Sequence, residues 1–395
     1  MNTAITFAEG KVDGTIEDRK VASETLATAV AELTTRLQMA DLRELADKAT
    51  EDGKDVTALM SKVNALTAPS SKEVTAVYNE LLKTAMGIDD MILQPEVTDS
   101  IAMVYKSTIT SGKDVSVTFT VDGKTTEADV TKVGNEYTFT YPNVYAQDMA
   151  QTIEATLTVG DYSRVYKTSF LDYCVDIMSD NTQSKELKDL IVDLVKYGES
   201  VQVFRGEVEN RNELLTNKFT ARQKFVATYT LRDALWTTMG SVVEAIPEDN
   251  VDVNGYVSQA VTGTVDDNYK WSSMRLVLKD EVNLRCKFTA NDISNLVVKV
   301  SINEESYEYV ADDFKKVADN TYELDFGEIY ANEYGETVTF EFVNDGELVG
   351  QKLSYSVNTY LYNKRSSTTG NANLPQLLLA VYKYGLSANQ IQAVQ

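Results

Sequence analysis

The residue types that most often carry chemistry are sparse in this chain. It has 395 residues and no histidine, which removes the commonest general base and the commonest metal ligand. Its two cysteines, Cys174 and Cys286, lie in separate apolar segments without a Cys-x-x-Cys partner, so we predict two buried free thiols. A serine nucleophile would need a lysine or carboxylate base, and neither a Gly-x-Ser-x-Gly motif nor a phosphate-binding glycine loop is present in the sequence.

One acidic loop has the spacing of a calcium ligand set. Asn250, Asp252 and Asn254, followed by Gly255, match the first half of an EF-hand loop. The twelfth position is Val261, where such a loop requires a bidentate glutamate. Because the missing glutamate removes two ligands, we favour a solvated acidic turn and predict no cofactor, with the three polar residues left as a candidate calcium site.

The acidic charge balance disfavours some functions and gives no specific signal for others. The chain has 60 Asp and Glu against 37 Lys and Arg, a net charge of −23, which disfavours binding to nucleic acid or to an anionic membrane. A glycosidase needs a pair of carboxylates, but with so many carboxylates no chosen pair is informative, and we predict that the protein is not an enzyme. No stretch approaches the roughly 18 apolar residues of a membrane span, and the N-terminal residues lack the basic start and apolar core of a secretory signal.

The elements that could position a site occur twice along the chain. A tyrosine and a later Tyr-Gly pair recur at a common offset of 187 residues, which indicates an internal duplication. Apolar residues before each Tyr-Gly pair fall at i, i+3, i+4, i+7 and i+8, which predicts an amphipathic helix. We interpret the repeated residues as structural, because glycine lets the helix approach the sheet and tyrosine covers apolar surface with a solvated hydroxyl. They are Tyr173, Tyr197 and Gly198 in the first copy and Tyr360, Tyr384 and Gly385 in the second.

Strands are predicted before each of these helices. Apolar residues alternate over residues 101–105 and 115–121, and the Asp122-Gly123 pair that follows is a hairpin turn signal. Residues 282–286 repeat the first of these patterns in the second half. Short strands at regular spacing with polar turns predict an antiparallel β-sandwich in each half.

The N-terminal part is predicted to be helical. Five apolar residues step along it by four and three, a short heptad-like seam, and Ser70-x-x-Glu73 opens a further helix that ends at Gly87. Two interpretations stay open: a small bundle packed on the rest of the chain, or an anchoring or oligomerising module. The five seam residues are Leu26, Val30, Leu33, Leu37 and Ala40.

These patterns predict a multidomain α+β protein in four segments. Residues 1–92 form a helical anchoring or oligomerisation segment, and residues 93–206 form the first sandwich with its amphipathic helix. Residues 207–278 form a β-rich insert or small domain whose aromatic residues belong to a core, and residues 279–395 form the second sandwich and helix.

The order of motifs resembles a known kind of module. Tyr355-Ser356-Val357, then Tyr360, then a leucine-rich helix ending in Tyr384-Gly385-Leu-Ser-Ala388 resemble Ig-like modules with a C-terminal "YG" helix, as found in surface proteins of gut Firmicutes. The first copy matches more loosely. The resemblance covers roughly residues 99–206 and 279–392, implies an Ig-like sandwich in each, and transfers no catalytic residue. It implies a structural or adhesive role at an exposed surface.

The resemblance and the lack of an export signal together suggest a location. Ig-like modules are frequent additions to capsid, tail and fibre proteins of bacteriophages, which assemble in the host cytoplasm and leave by lysis. We therefore expect a virion structural protein: a head decoration, head fibre, collar or tail component. Its N-terminal helices would bind other virion proteins, it would form a homo-oligomer, and its modules would contact the host surface or a glycan. The alternatives are a bacterial cell-surface or S-layer adhesin that binds carbohydrate after loss of its leader, and a carbohydrate-active enzyme.

Overall fold

The chain folds as a mixed α+β protein with N-terminal helices, antiparallel sheets, and helices after each half of the strands. The computed structural model describes residues 16–65, 71–88, 91–97, 101–160, 162–206, 260–278, 282–365, 367 and 370–392. No helix in these ranges is long and apolar enough to span a membrane.

The described residues of the N-terminal part contain three helices: α1 (Ile16–Glu51), α2 (Thr57–Ala65) and α3 (Ser71–Met86). Helix α3 ends where the sequence predicted, because Gly87 adopts φ +66° and leaves the helical conformation at little steric cost. In the C-terminal part of α1, Leu45, Ala46 and Ala49 join the main core.

The first half of the strands forms two antiparallel sheets. One has the order β1-β3-β7-β6, with β2 also paired to β3, and the other has the order β5-β4-β8-β9. The strands are β1 (Ile92–Leu93), β2 (Glu96–Val97), β3 (Ile101–Thr108), β4 (Val115–Val121), β5 (Lys124–Glu127), β6 (Asp129–Val133), β7 (Glu136–Val144), β8 (Ile153–Val159) and β9 (Tyr162–Thr168).

The two sheets enclose a shared apolar core, as in a β-sandwich. Strand β8 alternates buried and half-buried residues along its whole length, which is the period of a sheet with one buried face. Tyr105 of one sheet meets Phe119 of the other with ring centroids 5.6 Å apart. Burial of each such side chain stabilises the fold by about 1.5–3 kcal/mol. Asp122 and Gly123 both adopt positive φ (49° and 77°) in the tight turn that the sequence predicted.

The second half has a corresponding pair of antiparallel sheets, of order β11-β12-β16-β15 and β10-β18-β17-β13-β14. Here too the sheets share a core, and the rings of Phe288 and Phe342 meet across it at 5.4 Å. The strands are β10 (Ala260–Gly263), β11 (Tyr269–Leu278), β12 (Val282–Ala290), β13 (Leu296–Ile302), β14 (Glu305–Tyr309), β15 (Lys315–Ala318), β16 (Thr321–Phe326), β17 (Val338–Asn344) and β18 (Glu347–Tyr355).

The sequence placed β10 and β11 in an insert, but both belong to the second pair of sheets. Strand β10 pairs with β18, and β11 pairs with β12 along nine residue pairs. The predicted start of the second unit at residue 279 is therefore too late. Residues 207–259, the remainder of the predicted insert, lie outside the described residues.

Two helices, rather than the single predicted one, follow each pair of sheets. The first pair is α4 (Phe170–Ser179) and α5 (Lys185–Arg205), and the second is α6 (Val357–Lys364) and α7 (Leu374–Gln392). Ser169 and Ser356 cap the short helices by accepting hydrogen bonds from the backbone N–H groups of Asp172 and Thr359.

The long helices are not amphipathic in the predicted sense. Residues 191–202 of α5 are all buried, polar side chains included, and so are residues 377–385 of α7. A surface helix would present a polar face to solvent. Both long helices therefore lie inside the molecule.

Candidate functional site

The repeated Tyr-Gly residues come together where α5 and α7 pack against each other. The rings of Tyr197 and Tyr384 stack with centroids 5.7 Å apart and planes within 12°. Asn371, just before α7, donates to the carbonyl of Phe204 near the end of α5, so the two helices run antiparallel. The sequence did not predict that the two copies touch, because contact between distant segments has no local signal.

The stacked tyrosines are buried. Tyr197 is 8% and Tyr384 6% exposed, and burial raises the pKa of both phenols above their ordinary value. The solvated hydroxyls expected from the sequence are replaced by a buried column of rings, since Tyr334 meets Tyr384 edge-on at 6.3 Å.

Glycine at position 385 permits a close approach, although not to a sheet. A Cβ at Gly385 would lie 2.7 Å from Cδ2 of Tyr334 and 3.2 Å from the carbonyl oxygen of Ala331. These atoms belong to the short 3-10 helix Ala331–Glu333 and the residue after it. Gly198 is buried at the corresponding place on α5, which packs against the 3-10 helix Ala146–Asp148.

Polar side chains between the helices are buried with partners. Ser387 of α7 donates to the carboxylate of Asp193 on α5. Within α5, Nζ of Lys196 lies 3.6 Å from Oε2 of Glu199, and both side chains are fully buried. A buried ion pair is weak evidence for stability, because desolvation offsets the attraction. Sequence patterns marked α5 only by its apolar residues, so this cluster was missed.

Tyr173 and Tyr360 occupy matching places one turn into α4 and α6. Both side chains are half-buried, and burial raises the pKa of each phenol. The ring of Tyr173 lies 5.9 Å from that of Phe170. Their environment is that of packing residues at the joint between sheet and helix.

A cleft of about 460 Å³ separates the N-terminal helices from the first pair of sheets. The guanidinium of Arg164 reaches across it to Oδ1 of Asn79 at 2.6 Å, and lies over the rings of Tyr78 (4.8 Å) and Tyr166 (4.5 Å). Three distant segments build the cleft, so no sequence motif predicted it. Its polar lining includes Asp41, Glu44, Lys48, Thr75, Tyr78 and Arg164.

A second polar cluster fixes the end of α1 to this cleft. The hydroxyl of Tyr162 donates to the carboxylate of Asp52 and lies 3.3 Å from the carbonyl oxygen of Lys48. The ammonium groups of Lys48 and Lys113 lie over its ring at 4.5 and 4.9 Å. The hydrogen bond from Tyr162, with the two lysine charges, lowers the pKa of Asp52 below its ordinary value.

The remaining candidates for chemistry are inert or lie outside the described residues. Cys174 and Cys286 are buried and unpaired, as predicted, and desolvation raises the pKa of both thiols, which disfavours the reactive thiolate. Within the described ranges no group of three or more carboxylates and cysteines is placed to hold a metal ion. Asn250, Asp252 and Asn254 fall outside those ranges.

The geometry thus offers two kinds of interface, a buried helix pair between the two halves and a polar cleft under the N-terminal helices. No protein-family model matches the chain. No curated protein is significantly similar to it.

Proposed function

We propose that the protein is a non-enzymatic structural component of a bacteriophage particle: a head decoration, head fibre, collar or tail protein. Its N-terminal helices attach it and its two halves project outward as Ig-like modules. The observation that carries the proposal is that two β-sandwich-like units of matching strand order are joined into one continuous core by a pair of equivalent helices.

Strand order supports the idea that the two units arose by duplication. In both units the chain adds its strands to the two sheets in the same order. This gives β3-β7-β6 with β5-β4-β8-β9, and β12-β16-β15 with β14-β13-β17-β18. Each unit ends in a serine-capped short helix and then a long helix carrying Tyr-Gly. The facing antiparallel sheets in each unit support the Ig-like assignment.

The joint between the units supports a role as a spacer. The hydrophobic core runs without interruption from the first sheets through α5 and α7 to the second sheets. Large buried interfaces between domains oppose relative motion. A chain built in this way holds two modules in a fixed relation, which suits projection from a particle.

The protein content of purified particles tests the assignment. Virions banded in a density gradient and washed at high salt should contain the protein at a fixed ratio to the major capsid protein, measured by quantitative mass spectrometry. A non-structural phage protein from the same lysate is the control for carry-over. Recovery only in the cell-wall fraction of uninfected host cells would refute the virion assignment and favour the cell-surface adhesin.

A further inference from the structure

Helix α1 has two different faces. Its C-terminal part turns Leu42 toward Val74 of α3, and both side chains are fully buried. The heptad-like seam predicted from the sequence lies on the opposite side, where Val30, Leu33 and Leu37 are 44%, 37% and 58% exposed. Among the described elements, helix α3 packs on the first face, and these three seam side chains stay exposed while Leu26 is half-buried.

The seam has the spacing of a coiled-coil interface. Val30 and Leu37 occupy a positions and Leu26 and Leu33 occupy d positions of a heptad. A repeat of this kind buries its side chains only against a helix with the same repeat. Val30 at a with leucine at both d positions is the combination that favours two strands, and Leu37 occupies the other a position.

Charges beside the seam select a parallel arrangement. Arg36 falls at a g position, and Asp41, an exposed residue at the rim of the cleft, falls at the e position five residues later. In a parallel pair g contacts e of the other helix. Among the described residues neither side chain forms a salt bridge. An antiparallel pair would bring g to g and e to e, so Arg36 and Asp41 could not contact each other. The other flanking residues, such as Ala29 and Thr34, are small enough for close approach.

We propose that this seam binds the same seam of a second copy of the chain, forming a parallel two-stranded coiled coil with Arg36 of each copy against Asp41 of the other. Isolated two-heptad coiled coils are marginal because nucleating a helix is costly. Here the packed C-terminal part of α1 already provides the nucleus. Parallel pairing places both copies of the sheet units at the same end, which specifies the homo-oligomer within the attachment role proposed above.

Oligomeric state in solution tests the proposal without any phage particle. Light scattering and sedimentation of the full chain should give twice the 43.9 kDa of one chain at micromolar concentration. Leu33→Glu should raise the dissociation constant at least 100-fold, because it buries a charge at the centre of the seam. Val21→Glu is the matched control: Val21 is 42% exposed on the same helix but lies away from the seam, so this variant should dimerise like the wild type.

Two further experiments test the register and the direction of the two helices in the proposed coiled coil. Arg36→Asp should weaken the dimer, and the double variant Arg36→Asp/Asp41→Arg should restore it. Leu26→Cys should form an intermolecular disulfide on mild oxidation, since equal d positions face each other in a parallel pair; the two native cysteines are buried and do not compete. A monomeric wild type, a trimer, or a Leu33→Glu variant that dimerises normally would overturn the proposal. A dimer from a protein missing from virions would refute only the particle assignment.

Discussion

The two pairs of sheets share a strand order but close the same edge in different ways. In the second half, β10 adds to the outer side of β18, and Trp271 of β11 stacks on Phe342 at 3.9 Å and donates to the carbonyl of Gln351. In the first half, β9 corresponds to β18, and no described strand pairs with its outer side. Helices α1 and α3 lie there instead, held by Arg164 and Tyr162.

The difference is one of chemistry as well as of shape. The second edge is closed by an aromatic cluster and backbone pairing, which depend little on charge. The first combines apolar contacts of α1 with a guanidinium over tyrosine rings, lysines over Tyr162 and a carboxylate hydrogen bond. Exposed charged contacts weaken with salt and pH. A shared strand order thus leaves the edge free to be closed with or without charged contacts, and substitutions on each edge should separate the two cases.

The largest loss of unfolding free energy is expected for substitutions at the second edge, where Trp271 packs. Trp271→Ala removes a ring that meets Phe288, Phe340 and Phe342. The cavity and lost burial should lower the free energy of unfolding by about 3 kcal/mol, measured by urea titration. Trp271→Phe keeps a stacked ring but loses the hydrogen bond to Gln351 and the buried area of the second ring of the indole, so it should cost less, about 1–2 kcal/mol. Equal costs for the two variants would contradict apolar closure.

An intermediate effect is expected at the joint between the halves, where equivalent residues differ. Ser387 donates to buried Asp193, whereas the hydroxyl of its counterpart, Ser200, has no hydrogen-bond partner among the described residues. Ser387→Ala should therefore destabilise the protein by about 1–2 kcal/mol, and Ser200→Ala should be neutral or stabilising. Thermal unfolding of the two variants decides this, and equal shifts would show that the hydrogen bond does not matter.

Sequence patterns predicted strands and turns correctly where the pattern lies within one short segment of the chain. The alternation in β8 and the Asp122-Gly123 turn have local physical causes, and both are present in the structure. The break between α4 and α5 was missed, although Ser184 caps α5 and follows a polar run typical of a helix end.

The interfaces could not be predicted, because they bring distant segments together. Residues 207–278 were predicted to be rich in strands, but nothing local says that β11 pairs with β12 rather than with another strand of an insert. The cleft requires α1, α3 and β9 to meet. The seam was visible in the sequence, whereas only the structure shows which face of α1 is left exposed.

The smallest change in stability is expected at Asp52, and it should depend on pH because the first edge contains charged contacts. Its folded-state pKa lies below the ordinary 3.8, chiefly because Tyr162 donates a hydrogen bond to it. A lowered pKa contributes stability that is present above the ordinary pKa and is lost as pH falls through the folded-state value. The difference in melting temperature between wild type and Asp52→Asn should therefore be constant at neutral pH and shrink as the pH falls below the ordinary pKa of 3.8. Asp47→Asn, an exposed carboxylate on the same helix, is the matched control and should show little difference at any pH. A gap at Asp52 that widens in acid would mean that the carboxylate does not hold α1 against β9.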